Sequence, residues 1–235
     1  MRNQLLLLIF IVLTVAGWSQ TRHETWVRVN FNHWINEKIG LGLELHHRRQ
    51  SNFLKEEINL LDKPMLNIVR PWFYYRGLKK YVLTISPISF HDYNEIADLN
   101  GNLNNFLEIR STYGIQRNFN FKNVTNRNRI WYELRFTDVN SANRIFQTRL
   151  RIQNSLLFPL WTITGNTKLN YNFTNEFFVN QKKDLVNFDH NRFFNGVQLK
   201  KRGTEINFGY QWSLHHADPR AYSRHQLFLN TSFDL

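Results

Sequence analysis

Apolar and polar side chains alternate with a period of two residues along most of this chain, and this pattern limits the fold more than any other feature. Residues 129–136 read Arg-Ile-Trp-Tyr-Glu-Leu-Arg-Phe, so that Ile130, Tyr132, Leu134 and Phe136 share one phase. Successive side chains of a β-strand point to opposite faces. The pattern therefore predicts strands with one apolar and one polar face.

The alternation returns in segments that are mostly about ten to fourteen residues long. Strands of soluble proteins average about five or six residues, whereas a tilted strand that crosses a membrane needs about nine to eleven. The length of the segments therefore favours a transmembrane β-barrel. The eleven segments are 24–35, 39–48, 67–76, 80–91, 104–117, 127–138, 144–157, 161–175, 191–200, 204–214 and 223–235.

Connections between these segments alternate between short and long, as in outer-membrane barrels with short periplasmic turns and longer external loops. Single-chain bacterial barrels normally have an even number of strands. We therefore expect an all-β, antiparallel up-and-down transmembrane barrel of ten to twelve strands, with twelve favoured. The twelfth would be a strand missed within 49–66 or a miscount at the N-terminus. The short connections are 36–38, 77–79, 158–160, 201–203 and a somewhat longer one near 118–126, and the long ones are 49–66, 92–103, 139–143, 176–190 and 215–222.

The N-terminus predicts export. Arg2 precedes an apolar run from Leu5 to Ala16, which is as long as the apolar region of a signal peptide and too short for a spanning helix. We expect a signal peptide over 1–19 and a barrel domain over 20–235, in the outer membrane of a Gram-negative bacterium. The alternative is a retained membrane anchor.

Composition excludes several classes of protein. Aromatic residues make up 15% of the chain, alanine occurs five times and asparagine thirty times, and the mean hydropathy is −0.47. A transmembrane helix bundle is far more apolar, whereas a barrel exposes only alternate residues to lipid. Without cysteine, the chain has no disulfide, no cysteine zinc site and no thiol nucleophile.

The formal net charge of +12 is compatible with several anionic partners. The basic residues are scattered, which argues against nucleic acid, so we expect outer-membrane lipid or lipopolysaccharide instead. The last segment ends with Phe233 and Leu235 on one face, the kind of terminal strand that the outer-membrane insertion machinery reads. The sequence leaves the oligomeric state open.

Charged residues on the polar faces predict a network inside the barrel, because an unpaired charge in a narrow lumen is costly. They allow two interpretations. One is a structural, self-neutralising filling of the lumen, and the other is a ligand site or a selectivity lining. The residues are Arg70, Glu108, Arg110, Glu133, Arg135, Arg149, Arg151 and Glu205.

Catalysis on a small barrel would require a serine and a histidine within hydrogen-bond distance, with a third group that orients them. The stretch Ser213-Leu214-His215-His216-Ala217-Asp218 is one candidate, and no segment matches a hydrolase motif. The adjacent pairs His46-His47 and His215-His216 point to opposite faces of a strand and chelate poorly. We therefore expect no catalytic residues, cofactor or metal. The remaining candidates are His91 and His225, with Ser89 and Ser223.

Two soluble folds remain as alternatives: a β-sandwich, and a lipocalin-like barrel with its apolar face inside. Strand length and the number of arginines on the polar faces favour the membrane barrel. So do five tryptophans that we expect in aromatic girdles at the ends of strands. They are Trp26, Trp34, Trp72, Trp161 and Trp212.

Several short motifs resemble an uncharacterised bacterial outer-membrane barrel family, domain of unknown function 2490. They are Glu24-Thr25-Trp26, the turn Asn36-Glu37-Lys38 followed by Leu43-Glu44-Leu45, the strand end Arg48-Arg49, and the segment 129–135. The resemblance implies a barrel in the outer membrane and no particular activity. The function we expect is a small barrel with a structural, binding or narrow-passage role. The alternatives are a lipid-modifying hydrolase and a periplasmic β-rich binding protein.

Overall fold

The chain forms a closed barrel. The computed structural model describes residues 20–52, 59–97, 103–139, 143–164, 166–183, 185–217 and 220–235. The expected signal peptide, residues 1–19, lies outside these ranges. Within them the strands are β1 (Gln20–Trp34), β2 (Ile39–Gln50), β3 (Lys63–Leu78), β4 (Tyr81–Ala97), β5 (Leu103–Phe121), β6 (Val124–Val139), β7 (Asn143–Thr164), β8 (Thr167–Lys182), β9 (Leu185–Lys201), β10 (Thr204–Ala217) and β11 (Arg220–Asp234).

Each strand pairs with its neighbours in sequence, and the first and last strands close the ring. The all-β barrel of ten to twelve strands is thereby confirmed, and the eleven strands of the described ranges are one fewer than the favoured twelve. All pairs are antiparallel except the seam between β1 and β11, where Gln20 pairs with Tyr222 and Asn32 with Asp234. Since β1 and β11 run in the same direction, an odd number of strands closes through one parallel pair.

The barrel has two distinct ends. The turn end carries the short connections around 35–38, 79–80, 122–123, 165–166 and 202–203, together with Leu235. At the opposite end, the loop end, β2, β4, β6, β8 and β10 end and β3, β5, β7, β9 and β11 begin, and Gln20 lies there too. Residues 176–182 and 185–190, expected in a long loop, belong to strands β8 and β9.

One predicted turn is wrong, because strand β7 runs through it. The expected connection at 158–160 lies inside β7, which continues to Thr164. Pro159 pairs with Asn170, and the register shifts between Pro159 and Trp161. Proline suggests a chain break because it cannot donate a hydrogen bond, but a β-bulge accommodates it within a sheet.

The apolar phase of the strands faces outward and the polar phase faces the lumen. On β6, Tyr132 and Phe136 are exposed on the outer wall, while Glu133 and Arg135 are buried inside. Both soluble alternatives fail on this arrangement, because a lipocalin-like barrel has the opposite faces and a sandwich has two separate sheets. No helix in the described part of the chain is long and apolar enough to cross a membrane.

The predicted aromatic girdles are wrong for three of the five tryptophans. Trp26 and Trp72 are buried in the lumen, at 1% and 4% exposure. Trp34 also faces the lumen, where it covers the position of Gly40. Only Trp161, 70% exposed near the turn end, and Trp212 lie on the outer wall. The three inward tryptophans occupy the polar phase of their strands, where a membrane-facing girdle cannot form.

Candidate functional site

The lumen is filled with side chains in its loop-end half. The residues there are almost completely buried although most are polar or charged. Such a filling is stable only where each charge meets a partner. The largest of them are Trp26, Phe178, Leu66, His91, Gln226, Glu24, Glu108 and Glu133.

Glutamates accept most of the charged contacts in this filling. Glu108 is hydrogen-bonded by Arg110, and Arg135 donates to both of its oxygens at 2.7 and 2.8 Å. Glu133 accepts from Arg149 and Arg151, each at 2.8 Å. These pairs come from the neighbouring strands β5, β6 and β7, where cross-strand side chains are within reach of one another.

The eight residues expected in the lumen network do not all meet. Arg110, Arg135, Arg149 and Arg151 surround Glu108 and Glu133 as described. Arg70 lies elsewhere, 3.6 Å from Glu44 and within hydrogen-bond distance of His91 Nε2.

Glu205 lies apart from this network, towards the turn end. Its Oε1 accepts a hydrogen bond from Asn207 Nδ2 at 3.0 Å. Glu205 is half-buried and lines the open half of the lumen.

A stack of guanidinium groups and aromatic rings crosses the lumen, and we call it the cation–aromatic column. Arg48 and Arg192 lie over Trp26 at 3.4 and 4.9 Å from the ring centroid, on β2, β9 and β1. Arg192 and Arg151 lie over Phe178 at 4.6 and 4.9 Å. Arg151 and Arg129 lie over Trp131 at 4.3 and 3.9 Å. The column therefore joins strands that are not neighbours in the wall.

Carboxylates hold the column in place. Glu176 accepts from Arg151 at 2.6 Å and from Arg192 at 3.3 Å. Glu24, at the foot of Trp26, accepts from its indole Nε1 at 2.7 Å and from Gln226 at 2.9 Å. Cation–π contacts strengthen when both partners are desolvated, as they are here.

The turn-end half of the lumen is open and forms a cavity of about 420 Å³, which we call the chamber. Trp131, Arg151, Glu176 and Arg192 form its floor, so that it ends where the cation–aromatic column begins. Amides and hydroxyls are a large part of its walls, among them Asn30, Asn32, Gln116, Gln153, Ser155, Asn172, Thr174, Asn207 and Asn230.

Glycines make room for side chains and backbone at the floor and wall of the chamber. A Cβ at Gly114 would lie 2.2 Å from Cδ1 of Trp131 and 2.4 Å from Oγ1 of Thr84. Gly196 and Gly209 pair across β9 and β10, and a Cβ on either would collide with the backbone of the other strand. Any other residue at Gly114 would displace the indole, so this glycine fixes the shape of the chamber floor.

Three arginines that line the chamber form no ion pair with a described residue: Arg76 at the mouth, Arg127 and Arg129. Arg129 donates only to Gln153 Oε1 and stacks on Trp131, and the Nε of Arg127 is buried with no hydrogen-bond acceptor among the described residues. The described side chains that line the chamber include seven cations and four carboxylates, so its charge is positive.

Serine and histidine do come together three times, each time two residues apart on one strand. Ser89 Oγ lies 3.1 Å from His91 Nε2, and Ser213 Oγ lies 3.1 Å from His215 Nε2. Both serines are fully buried inside the filled half of the lumen, where no lipid substrate has access.

The third serine–histidine pair, Ser223 and His225, lies on the outer wall with its atoms 3.4 Å apart. Tyr210 OH contacts the other ring nitrogen of His225. Ser223 is 1% exposed, so its hydroxyl is covered on the face where a lipid would approach. None of the three pairs combines a nucleophile, a base, an orienting group and access.

One group of potential metal ligands was not expected. Asp189, His190 and His215 place ligand atoms within 4.8 Å of one another near the loop end. A register shift in the pairing with β8 leaves Asp189 unpaired, so that it lies on the same side as His190. The two imidazoles stack face to face at 4.3 Å, and Arg192 donates to His190 while Arg149 lies 3.8 Å from Asp189. Stacked rings and bound arginines are a poor arrangement for a cation.

The expected opposite orientation of adjacent histidines is seen in both pairs. His46 is buried in the lumen and His47 is exposed outside, and His215 is buried while His216 is exposed. Neither adjacent pair can chelate one ion.

Sequence reasoning missed several members of the lumen filling. They carry a detectable signal, since all of them occupy the polar phase of a strand. The residues are Glu24, Trp26, Glu44, Arg48, Glu176, Phe178 and Arg192.

A comparison with protein families gives one match. Residues 23–224 match the family described as "Protein of unknown function (DUF2490)". The chain belongs to the DUF2490 family. No curated protein matches it. Among solved structures, this DUF2490 barrel is similar to the beta domain of the Bordetella autotransporter BrkA, with 13% sequence identity, 82% of each chain covered and a TM-score of 0.47.

The described part of this DUF2490 barrel has a lumen in two halves. Its loop-end half is closed by ion pairs and stacked rings. Its turn-end half is a polar chamber of the volume that small-molecule sites have, about 300–1,000 Å³.

Proposed function

We propose that this chain is an integral outer-membrane barrel that binds a solute in its chamber and does not conduct. The observation that carries the proposal is the division of the lumen into a filled half and an open half. A solute that enters from the turn end meets the cation–aromatic column at the floor and can go no further. The column is held by ion pairs from several strands and does not form part of a loop that swings aside.

The outer wall supports insertion into a membrane. Ile115, Ile130 and Ile152 pair side by side across β5, β6 and β7, and Phe177 on β8 continues the row. A belt of exposed apolar side chains this wide is costly in water and is the feature that a bilayer stabilises. The closed ring also leaves no unpaired strand edge, as a membrane interior requires.

The two ends of the barrel support one orientation. Short turns face the periplasm in outer-membrane barrels, and longer connections face outward. With the turn end in the periplasm, the chamber opens to the periplasm and the filled half of the lumen faces the cell exterior.

Membrane lipid and the insertion machinery are the partners that fit this proposal. Phe233 and Leu235 end the last strand at the turn end. An apolar end at the periplasmic edge is accessible to a factor that receives the chain from that side. Lipopolysaccharide would surround the opposite half of the wall.

Single-channel recording on protein refolded into planar bilayers tests the closed lumen. The wild type should give no stable openings, whereas Trp26→Ala should give small openings because it removes the ring between Arg48 and Arg192. Trp161→Ala, which removes an exposed ring from the outer wall, is the matched control and should stay silent. Since arginines dominate the lining, the leak of Trp26→Ala should prefer anions. Stable porin-sized openings in the wild type would contradict the proposal.

Membrane fractionation tests the location. The native protein should be recovered in the outer membrane and should need detergent for extraction. Recovery of folded protein in the soluble periplasmic fraction would rule out an integral barrel.

A further inference from the structure

The chamber has a surplus of positive charge where a ligand would lie. Arg127 and Arg129 lie two residues apart on the lumen face of β6, and neither forms an ion pair with a described residue. Glu44 and Glu176, the deep carboxylates, are already engaged by Arg28, Arg70, Arg151 and Arg192. A guanidinium without a carboxylate binds an external anion well, because it offers donors in a fork that fits carboxylate and phosphate oxygens.

The rest of the lining suits hydroxyl groups. Asn30, Asn172 and Asn207 belong to chains of side-chain hydrogen bonds along the wall, each offering both donors and acceptors. Amide and hydroxyl side chains of this kind match the mixed donors and acceptors of a sugar ring. The indole Nε1 of Trp131 is a further buried donor without an acceptor among the described residues.

The approach to the chamber is also cationic. Exposed lysines and one arginine surround the turn end, and Arg76 and Lys200 line the mouth itself. The carboxylates of Glu37 and Asp234 lie at the same end, but cations outnumber them. An excess of one charge around a concave opening raises the local concentration of oppositely charged solutes. The exposed cations are Lys38, Lys79, Lys80, Lys122, Lys201 and Arg202.

From these observations we infer that the chamber binds a small acidic sugar, a phosphorylated or carboxylated unit, with its anionic group on Arg127 and Arg129 and its hydroxyls on the amide wall. The cavity of about 420 Å³ holds one or two such units. A lipid-linked sugar does not fit, because its acyl chains would have to enter the polar lumen. The inference rests on the proposed function in one respect, since it needs the chamber to be open at the turn end.

Calorimetric titration of the detergent-folded full chain tests the inference, with tryptophan fluorescence as a second readout. The probes are glucose 6-phosphate, glucuronate, neutral glucose and inorganic phosphate. One of the two acidic sugars should bind at least about tenfold more tightly than glucose and than phosphate, because it alone engages both parts of the chamber.

Variants show whether binding depends on the chamber arginines or on a surface arginine. Arg129→Gln and Arg127→Gln should each weaken binding of the acidic sugar about tenfold or more. Arg117→Gln is the matched control, since Arg117 lies near the same end but on the outer wall over Tyr81. It should leave binding within about twofold. Retained heat-modifiable mobility on gels shows that each variant is folded.

Several outcomes would overturn the inference. They are no binding of either acidic sugar, equal binding of glucose or of inorganic phosphate, and equal losses in Arg117→Gln and Arg129→Gln. These outcomes are independent of the conductance of the barrel, which tests the proposed function. If the barrel gives no openings and binds no acidic sugar, the proposed closed lumen stands and the proposed ligand is wrong.

Discussion

Glu133 is the carboxylate on which three arginines of the filled lumen converge. Arg149 and Arg151 contact it at 2.6 and 2.8 Å, and Arg110 lies 3.8 Å away. It is completely buried. The carboxylate therefore balances the charge of several neighbouring arginines. Without it, these arginines would repel one another in a part of the lumen where no solvent screens them.

We expect Glu133→Gln to lower the free energy of unfolding by about 3 kcal/mol, since it leaves buried arginines without their counter-charge. Glu205→Gln is the matched control and should cost well under 1 kcal/mol, because Glu205 is half-buried and forms no ion pair with a described residue. Urea unfolding in detergent, followed by tryptophan fluorescence, measures both. Equal losses in the two variants would show that Glu133 has no special role.

Gly114 determines the position of the Trp131 indole. We expect Gly114→Ala to displace this ring, to destabilise the barrel by about 1–3 kcal/mol and to shift its fluorescence, because the new methyl group would overlap Cδ1. Gly77→Ala is the control: its methyl group would meet only the tip of the exposed Tyr75 side chain, which can move away. An unchanged emission spectrum in Gly114→Ala would mean that the indole is not held against the glycine.

On the scale of a strand, one residue step separates the membrane-facing wall from the charged lumen. Ile130 faces outward near the middle of β6, and its neighbour Trp131 forms part of the chamber floor. The same strand reaches the edge of the apolar belt at Asn126, whose side chain is hydrogen-bonded by Asn128 and Asn154. Depth along the strand and face of the strand therefore determine separately which substitutions are tolerated.

We expect Ile130→Arg to block insertion, because an arginine on the lipid face near the midplane costs about 2–4 kcal/mol. Asn126→Arg introduces the same charge on the same face near the turn end, where the cost falls to about 0–1 kcal/mol. The yield of folded protein after refolding into lipid vesicles compares the two. Equal yields would mean that β6 does not face lipid.

The sequence was sufficient to predict the strands, because a period of two persists through all of them. It misled at one point, where a local rule was given too much weight. Pro159 suggested a turn at 158–160, but the strand continues through a β-bulge to Thr164, so the predicted segment 161–175 begins before β8 does. The rule of even strand number favoured twelve strands, and the described ranges hold eleven, within the ten to twelve expected.

The sequence alone could not predict which side chains touch one another across the lumen. Periodicity assigns Trp26, Phe178 and Arg192 to the inner phase of their strands, but it does not show that they stack on one another. That contact depends on the diameter of the closed barrel and on how far each strand is shifted along its neighbour. The chamber could not be predicted for the same reason, since it is the part of the lumen that these side chains do not fill.

For the whole molecule, the two ends of the barrel have different roles. The loop end is closed by buried charge and aromatic rings, and the turn end is open and surrounded by cations. We expect an epitope inserted after Leu61, at the loop end, to be labelled by antibody on intact cells. The same epitope inserted between Lys79 and Lys80 should be labelled only after the outer membrane is permeabilised. Labelling in the reverse order would invert the orientation and place the chamber mouth outside the cell.

The parallel seam also has a consequence for the order of assembly. Glu24 on the first strand receives Arg224 and Gln226 from the last, across 202 residues in the case of Gln226. A contact between such distant parts of a chain forms late, since the long intervening loop must first be closed. Until then the free edge of β1 is open to pairing with other chains, and the Glu24 carboxylate lacks its arginine. Completion of the ring therefore neutralises a buried charge and removes the last open edge in a single late event.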